Sequence, residues 1–433
     1  MESDQQKSKD DISLSRARQL LSDGALEQSL LAIKSYWLAN PDDGAAPELL
    51  AELMKEGGRQ ELSEKLENLA RSFKPGAETG NGPKAQELFE AGFGLIDVRQ
   101  HELAVMLLSR CVRLAANEPI VNYELAFALM SLRRFQQAIP YFEIVAGKAP
   151  DFDTLLNLAA CYTLTRRAKE AQSILKKIDS LKLESEQSLE VGHRKIVLKR
   201  LESVNDKAQL TQRDWLYVLY GAILLRPGPR DPNSKEDALS IGSMLALLKG
   251  VLDGLQVDLE VVEFYGPQSR PLARALAELL EIPFDSYKGP DRAEKALLAM
   301  TWATDIIGPH KSFAKIEERR SLFCYGLTWD EPLPLVPEIV GCLAYDEPMP
   351  WRQRSASFPS TDSASVFDEH EFDNEVENSY KSILYNARDM ESDPTMIHSV
   401  QEAVDYYTDK TGFLMLGNAA TFPVRSEYTA ELD

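Results

Sequence analysis

The sequence predicts a chain of several domains: an N-terminal α-solenoid, a doubly wound α/β domain after it, and an acidic, partly disordered tail. Three observations lead there. Small residues recur every 33 to 34 positions through the first half. From Trp215 the pattern changes to β-type apolar runs alternating with helical stretches. Beyond Ser355 the chain turns acidic, with 16 acidic against 4 basic side chains. A small-residue period near 34 marks stacked helix–turn–helix units, since small residues let two helices approach while large ones fill the gaps between neighbours.

The repeat positions are explicit. Ala104, Ala138 and Ala171 mark one, Gly92, Ala126 and Ala159 a second, and Leu108, Phe142 and Leu175 a third. Leu95, Leu129 or Tyr162 follows three residues after the small residue of the second set, and Pro150 closes the central unit. Two earlier units carry Ala17, Leu20, Gly24, Ser29, Tyr36 and Pro41, then Ala51, Met54, Gly58, Ser63 and Ala70. The spacings Ala17 to Ala51, Gly24 to Gly58 and Ser29 to Ser63 are each 34 residues. Taken as a set, these residues, and above all Leu125, Ala126, Leu129, Ala138, Phe142 and Pro150 of the central unit, resemble the tetratricopeptide repeat. Five repeats are expected between about residues 11 and 183.

The expected domains are two repeats over 11–75, three repeats with a capping helix over 84–205, an α/β domain over 207–354, and an acidic linker and tail with short helices over 355–433. KPGAETGNGP, Lys74 to Pro83, clusters helix breakers and reads as a loop or hinge between a two-repeat arm and a three-repeat body. Leu183 to Ser203 is a charged amphipathic stretch suited to covering the last repeat's open face.

In the second half, WLYVLYGAILL (Trp215 to Leu225), VDLEVVEFYG from Val257, KALLAMTWATDIIG from Lys295 and SLFCYGLTW from Ser321 read as buried strands. DALSIGSMLALLKGVLDGL and SRPLARALAELLEIP read as helices between them. That alternation predicts a mostly parallel sheet, and near-continuous apolar strands fit burial on both faces. In the tail, SASFPSTDSAS reads as linker, NEVENSYKSILYNARDM and MIHSVQEAVDYYTDK as short helices that need a docking surface, and GFLMLGNAATFPV as a strand or tucked-in arm.

Composition excludes several roles. At 433 residues with 44% hydrophobic content the chain has ample material for packed cores, and a net charge of −20 opposes non-specific binding to nucleic acid or anionic membranes. The opening MESDQQKSKDD lacks a secretory apolar stretch, and the longest apolar run, 11 residues, is too short to span a bilayer. Cys111, Cys161, Cys324 and Cys342 have no CxxC spacing and read as buried thiols, so a cytoplasmic protein without a membrane partner is expected. The five histidines are scattered, no GxSxG or HExxH motif is present, and the sequence assigns no metal and leaves any cofactor unknown.

The resemblance implies that the first helix of each hairpin lines a concave groove. The matching residues are Phe89, Phe93 and Ile96, then Tyr123, Phe127 and Met130, then Leu156 and Leu164. Exposed aromatic and Met side chains make a peptide-binding surface, because they bury much area at small entropic cost. Arg99, Arg133 and Arg166 occupy the same place in three consecutive hairpin turns and form a rim able to grip carboxylates. One acidic candidate for that rim is intramolecular: the tail segment DEHEFDNEVEN, Asp368 to Asn378. Arrays that clamp the acidic terminus of heat-shock chaperones carry Lys and Asn on the groove helices. Phe89, Phe93, Tyr123 and Phe127 stand there instead, which favours an apolar or amphipathic peptide.

A second candidate site lies in the α/β half. The turn after the second strand, Tyr265 to Pro271, opens a helix, and backbone amides there suit a phosphate or carboxylate, with Gly266, Ser269 and Arg270 as ligand-binding residues. The alternative is that Ser269 caps the helix and Arg270 is solvated. Glu263 and Asp305, near strand ends, form a candidate acidic pair for magnesium or a ribose if they share one cleft. The function expected overall is a protein-interaction adaptor or scaffold that takes a peptide or protein in the repeat groove. The alternatives are an enzyme or sensor whose α/β domain binds a small phosphorylated or anionic ligand while the repeats recruit a protein substrate, and a structural subunit of a larger complex.

Overall fold

The structure is a computed structural model and describes residues 14–73, 84–228, 237–289, 294–309, 320–328, 335–344, 349–351, 369–414 and 416. The Lys74 to Pro83 segment, the SASFPSTDSAS linker and all but the start of GFLMLGNAATFPV lie outside the described residues. The chain divides into two compact units, 1–191 and 192–433, so the division falls inside a helix rather than near residue 205.

The first unit consists of helical hairpins. Helix α1 (14–22) pairs with α2 (Leu26–Ala39), α3 (Ala45–Glu56) with α4 (Gln60–Ser72), α5 (Ala85–Asp97) with α6 (His101–Leu114), α7 (Pro119–Ser131) with α8 (Phe135–Lys148), and α9 (Phe152–Leu164) with α10 (Ala168–Ile178). Helix α11 (Ser185–Glu202) follows. The small residues do what their spacing requires. Ala104, Ala138 and Ala171 are fully buried, and a Cβ on Gly92 would stand 2.8 Å from Leu108 Cγ, the next marker in the same hairpin. In the first two hairpins serine replaces that alanine. Ser29 and Ser63 are buried and donate to the carbonyls of Ala17 and Ala51 at 2.8 Å, so each hydroxyl satisfies itself on the facing helix.

Packing continues across the expected hinge. Leu62 of α4 lies against α5 so closely that a Cβ on Gly94 would be 2.8 Å from its Cδ1. Arg110 of α6 donates to the Pro41 carbonyl at 2.8 Å and pairs with Asp42 at 2.7 Å, while Lys34 of α2 pairs with Glu102. The second and third hairpins are therefore stacked, which corrects the reading of a separate arm and body.

The second unit is built on a parallel sheet of six described strands: β1 (Ile223–Arg226), β2 (Val261–Phe264), β3 (Phe284–Ser286), β4 (Ala296–Trp302), β5 (Arg320–Leu327) and β6 (Ile339–Leu343), in the order β1-β6-β5-β4-β2-β3. Its helices are α12 (Gln212–Tyr220), α13 (Ala238–Gly254), α14 (Arg270–Leu280), α15 (Glu369–Met390) and α16 (Pro394–Thr408). Leu216 of α12 joins Leu224, Cys324 and Val340 in one core cluster on the sheet, and Leu298, Met300, Ile306, Leu322 and Leu335 form another.

The run from Trp215 to Leu225 is helix and then strand, not one strand. Thr211 and Asp214 form a reciprocal cap that starts α12, and Gly221, at φ 63°, ends it before β1 begins. Strands β3 and β6, absent from the sequence reading, are three and five residues long. Gly341 lets β6 lie flat beside β5, since a Cβ there would meet the Tyr325 carbonyl at 2.3 Å. The tail helices stack on the rest of the unit: a Cβ on Gly242 of α13 would be 2.9 Å from the Ala387 backbone nitrogen of α15, and Gly250 and Gly254 leave room for Val400 and Val404 of α16. Among the described residues no helix is long and apolar enough to cross a membrane.

Candidate functional site

Each hairpin turn of the first unit has one backbone solution, and the arginine row is part of it. The first helix ends on a residue in the left-handed region: Gly24 (φ 75°), Gly58 (φ 74°), Arg99 (φ 58°), Arg133 (φ 59°) and Arg166 (φ 60°). The next N–H then returns five residues, Ala25 to Leu20, Arg59 to Met54, Gln100 to Leu95, Arg134 to Leu129 and Arg167 to Tyr162, at 2.7 to 2.9 Å. This is the Schellman closure, in which the orphan carbonyl near a helix end receives a donor. Its acceptors are the same residues that follow the small marker in every repeat. The first half of the chain has the tetratricopeptide-repeat fold.

Solved structures of low identity share that architecture. MamA of AMB-1 is 20% identical, with 42% of this chain and 98% of that chain covered at a TM-score of 0.26. YrrB, described as a TPR protein with an unusual peptide-binding site, is 18% identical over 42% of this chain and 90% of its own, at 0.27. Pseudomonas aeruginosa PilF is 18% identical over 49% and 93%, at 0.26. No family model and no curated protein matches the chain. At these values the repeat assignment rests on the hairpins and caps themselves.

An arginine in the left-handed region costs about 1 kcal/mol or more relative to glycine, because its Cβ crowds the following carbonyl. Arg99 is exposed and Arg133 and Arg166 are half-buried. Among the described residues no ion pair engages Arg99 or Arg133. Their neighbour Arg167, by contrast, pairs with Glu170 at 2.9 Å and lies 4.5 Å over the Tyr162 ring.

On the first helices of the third and fourth hairpins the aromatics pair along the helix. Phe89 and Phe93 stack at 6.0 Å between ring centroids, and Tyr123 and Phe127 at 6.4 Å. Tyr123 meets Phe142 edge-on at 5.8 Å and accepts from Asn157 Nδ2 at 3.3 Å. Phe93 is 37% exposed, and Phe89, Tyr123 and Phe127 are half-buried. Ile96 and Met130 differ from the expectation: Met130 is 1% exposed and Ile96 is 9%, so both serve packing and are not open anchors. Leu156 and Leu164 are buried as well. Glu124, next to Tyr123, has its carboxyl pushed up to about 7 by burial and then by the like charge of Asp97. Sequence reasoning passed over it, since a lone Glu on a helix carries no signal.

In the second unit the strand order locates the point where connections reverse direction, between β2 and β4. The turn after β2 lies there. Gly266 has φ 71°, which favours glycine, and Arg270 is half-buried at the start of α14. Ser269 is fully buried. Its hydroxyl makes no cap to α14 and instead accepts from the Thr301 N–H of β4 at 3.3 Å, so both readings of Ser269, as open donor and as helix cap, are corrected.

Glu263 and Asp305 do not form a cation pair. Glu263 and Arg320 are almost fully buried and joined at 2.6 Å. Asp305 accepts from Thr301 Oγ1 at 2.8 Å and from the Trp302 N–H at 3.2 Å, as a local cap.

Proposed function

We propose that the protein is an interaction adaptor whose repeat array takes a peptide or protein partner on the first-helix face of its third and fourth hairpins. The observation that carries this reading is the two stacked aromatic pairs on successive first helices, with Phe93 open to solvent. Rings stacked along a helix are held in place before binding, so a partner side chain entering between them loses solvent contact without ordering flexible groups. Phe93 and Phe127 are the anchors, and Phe89 and Tyr123 are their supports.

Co-purification of the intact chain beside a Phe93→Ala/Phe127→Ala variant tests the reading, with bound proteins identified by mass spectrometry. A discrete partner held by the parent and lost by the variant is expected. Equal recovery from both proteins removes the groove from the account.

A second reading has one observation in its favour. Read as doubly wound, the parallel sheet of the second unit carries the Gly266 turn at its reversal point, the usual seat of a small anionic ligand, with backbone amides and Arg270 as donors. A thermal-shift series with inorganic phosphate and nucleotides, compared between the parent and a Gly266→Val variant, tests it.

A further inference from the structure

We propose that Arg99, Arg133 and Arg166 form a docking edge, one cation per repeat, for an extended acidic segment of a partner protein. The proposal rests on the adaptor reading above and adds the chemistry of the partner. Five hairpins share one left-handed position, and Gly24 and Gly58 fill it without strain in the first two. The next three hold arginine in the same backbone conformation, closed by the same hydrogen bond. The turn therefore does not need arginine, and the strain of placing one there is accepted three times in succession.

Charge points the same way. On a chain of net charge −20, cations aligned at 34- and 33-residue intervals form a local exception. Arg99 and Arg133 have no ion pair among the described residues, whereas Arg110 and Arg167 are held by Asp42 and Glu170. Equivalent helices of stacked hairpins lie roughly 10 Å apart. An extended chain advances about 10 Å in three residues. Carboxylates at every third position of such a segment thus meet successive guanidinium groups, each able to take a carboxylate in a two-point contact.

The test uses the full chain and two fluorescein-labelled twelve-residue peptides, one with Glu at every third position and one with Lys there, read by fluorescence anisotropy across a salt series. The parent is expected to bind the Glu peptide, to ignore the Lys peptide, and to weaken as salt rises. Arg99→Gly/Arg133→Gly/Arg166→Gly keeps the backbone that Gly24 and Gly58 already use, so it stays folded by circular dichroism. It is expected to lose about tenfold or more in affinity together with most of the salt slope. The triple Arg→Lys variant retains charge and most of the binding. Equal affinity of parent and glycine variant for the Glu peptide, or no preference for Glu over Lys, overturns the proposal. In co-purification, a partner lost by Phe93→Ala/Phe127→Ala but kept by the glycine variant removes the arginine edge and leaves the adaptor reading. A partner kept by both variants removes both.

Discussion

The backbone N–H of Leu224 donates to the phenolic oxygen of Tyr407 at 2.8 Å, across 183 residues of sequence. Leu224 belongs to β1, the outer strand beside β6, and Ile223 is the residue that bonds to that neighbour, through the Glu338 carbonyl at 2.8 Å. The outward groups of β1 are then taken by side chains. Arg213 donates to the Leu224 carbonyl at 3.2 Å and the Leu225 carbonyl at 3.1 Å, and pairs with Glu402 of α16 at 2.9 Å. An open strand edge invites pairing with another chain, and here a tyrosine and an arginine close it.

Removing that hydroxyl leaves a buried donor without a partner. Tyr407→Phe is expected to destabilise the second unit by about 1–3 kcal/mol. Urea unfolding followed by tryptophan fluorescence checks it, and an unchanged midpoint refutes the edge account.

The buried pair of Glu263 and Arg320 sets a second expectation. Either Glu263→Gln or Arg320→Met leaves a charge uncompensated inside the unit, at a cost of about 3–5 kcal/mol. The double change costs less than the sum of the two. A double-mutant cycle in urea reads that difference directly.

Glu124 and His193 give the units opposite pH responses. The Glu124 carboxyl, raised to about 7, holds its proton in the folded state where the unfolded chain has released it. Its contribution therefore falls as pH rises from about 4.5 to 7, and Glu124→Gln gains of order 1–3 kcal/mol over the parent at pH 8. His193 is lowered to about 3 by burial and by Arg194 and Arg200. It stays neutral in the folded state while the unfolded chain takes up a proton, so its contribution is lost as pH falls from about 6.5 toward 3. His193→Gln is expected to flatten that acid limb. Thermal melts of each variant against the parent from pH 4 to 8 measure both slopes.

The left-handed turns predict a gain from glycine. Arg133→Gly is expected to raise stability by about 0.5–1 kcal/mol while preserving the helix content, because the strain relieved exceeds the added freedom of the unfolded chain. A drop in midpoint contradicts the backbone account of these arginines.

The periodic part of the fold was legible because one residue type recurs under one constraint: Ala104, Ala138 and Ala171 are small since helices cross there, and the 34-residue spacing carries that fact without coordinates. The equivalence of Gly24 and Gly58 with Arg99 was hidden, since Gly58 and Arg99 are 41 residues apart and the Lys74 to Pro83 insertion shifts the count. Trp215 to Leu225 is apolar throughout, and such a run reads as helix or strand equally well. Only the cap at Thr211 and the stop at Gly221 divide it. Strands β3 and β6 are too short to carry an alternation. Of the candidate groove residues, Phe93 is exposed but Met130 is not, because burial of a long side chain depends on the neighbouring helix rather than on its place in the repeat.

The central claim is that the first-helix face of the third and fourth hairpins meets a partner. Replacing Phe93 by a photoreactive phenylalanine analogue in cells tests it most directly, with Leu31, exposed on α2, as the control position. A discrete protein adduct from position 93 that is absent from position 31 is the predicted result. No adduct at 93, or the same adduct from both positions, contradicts the claim.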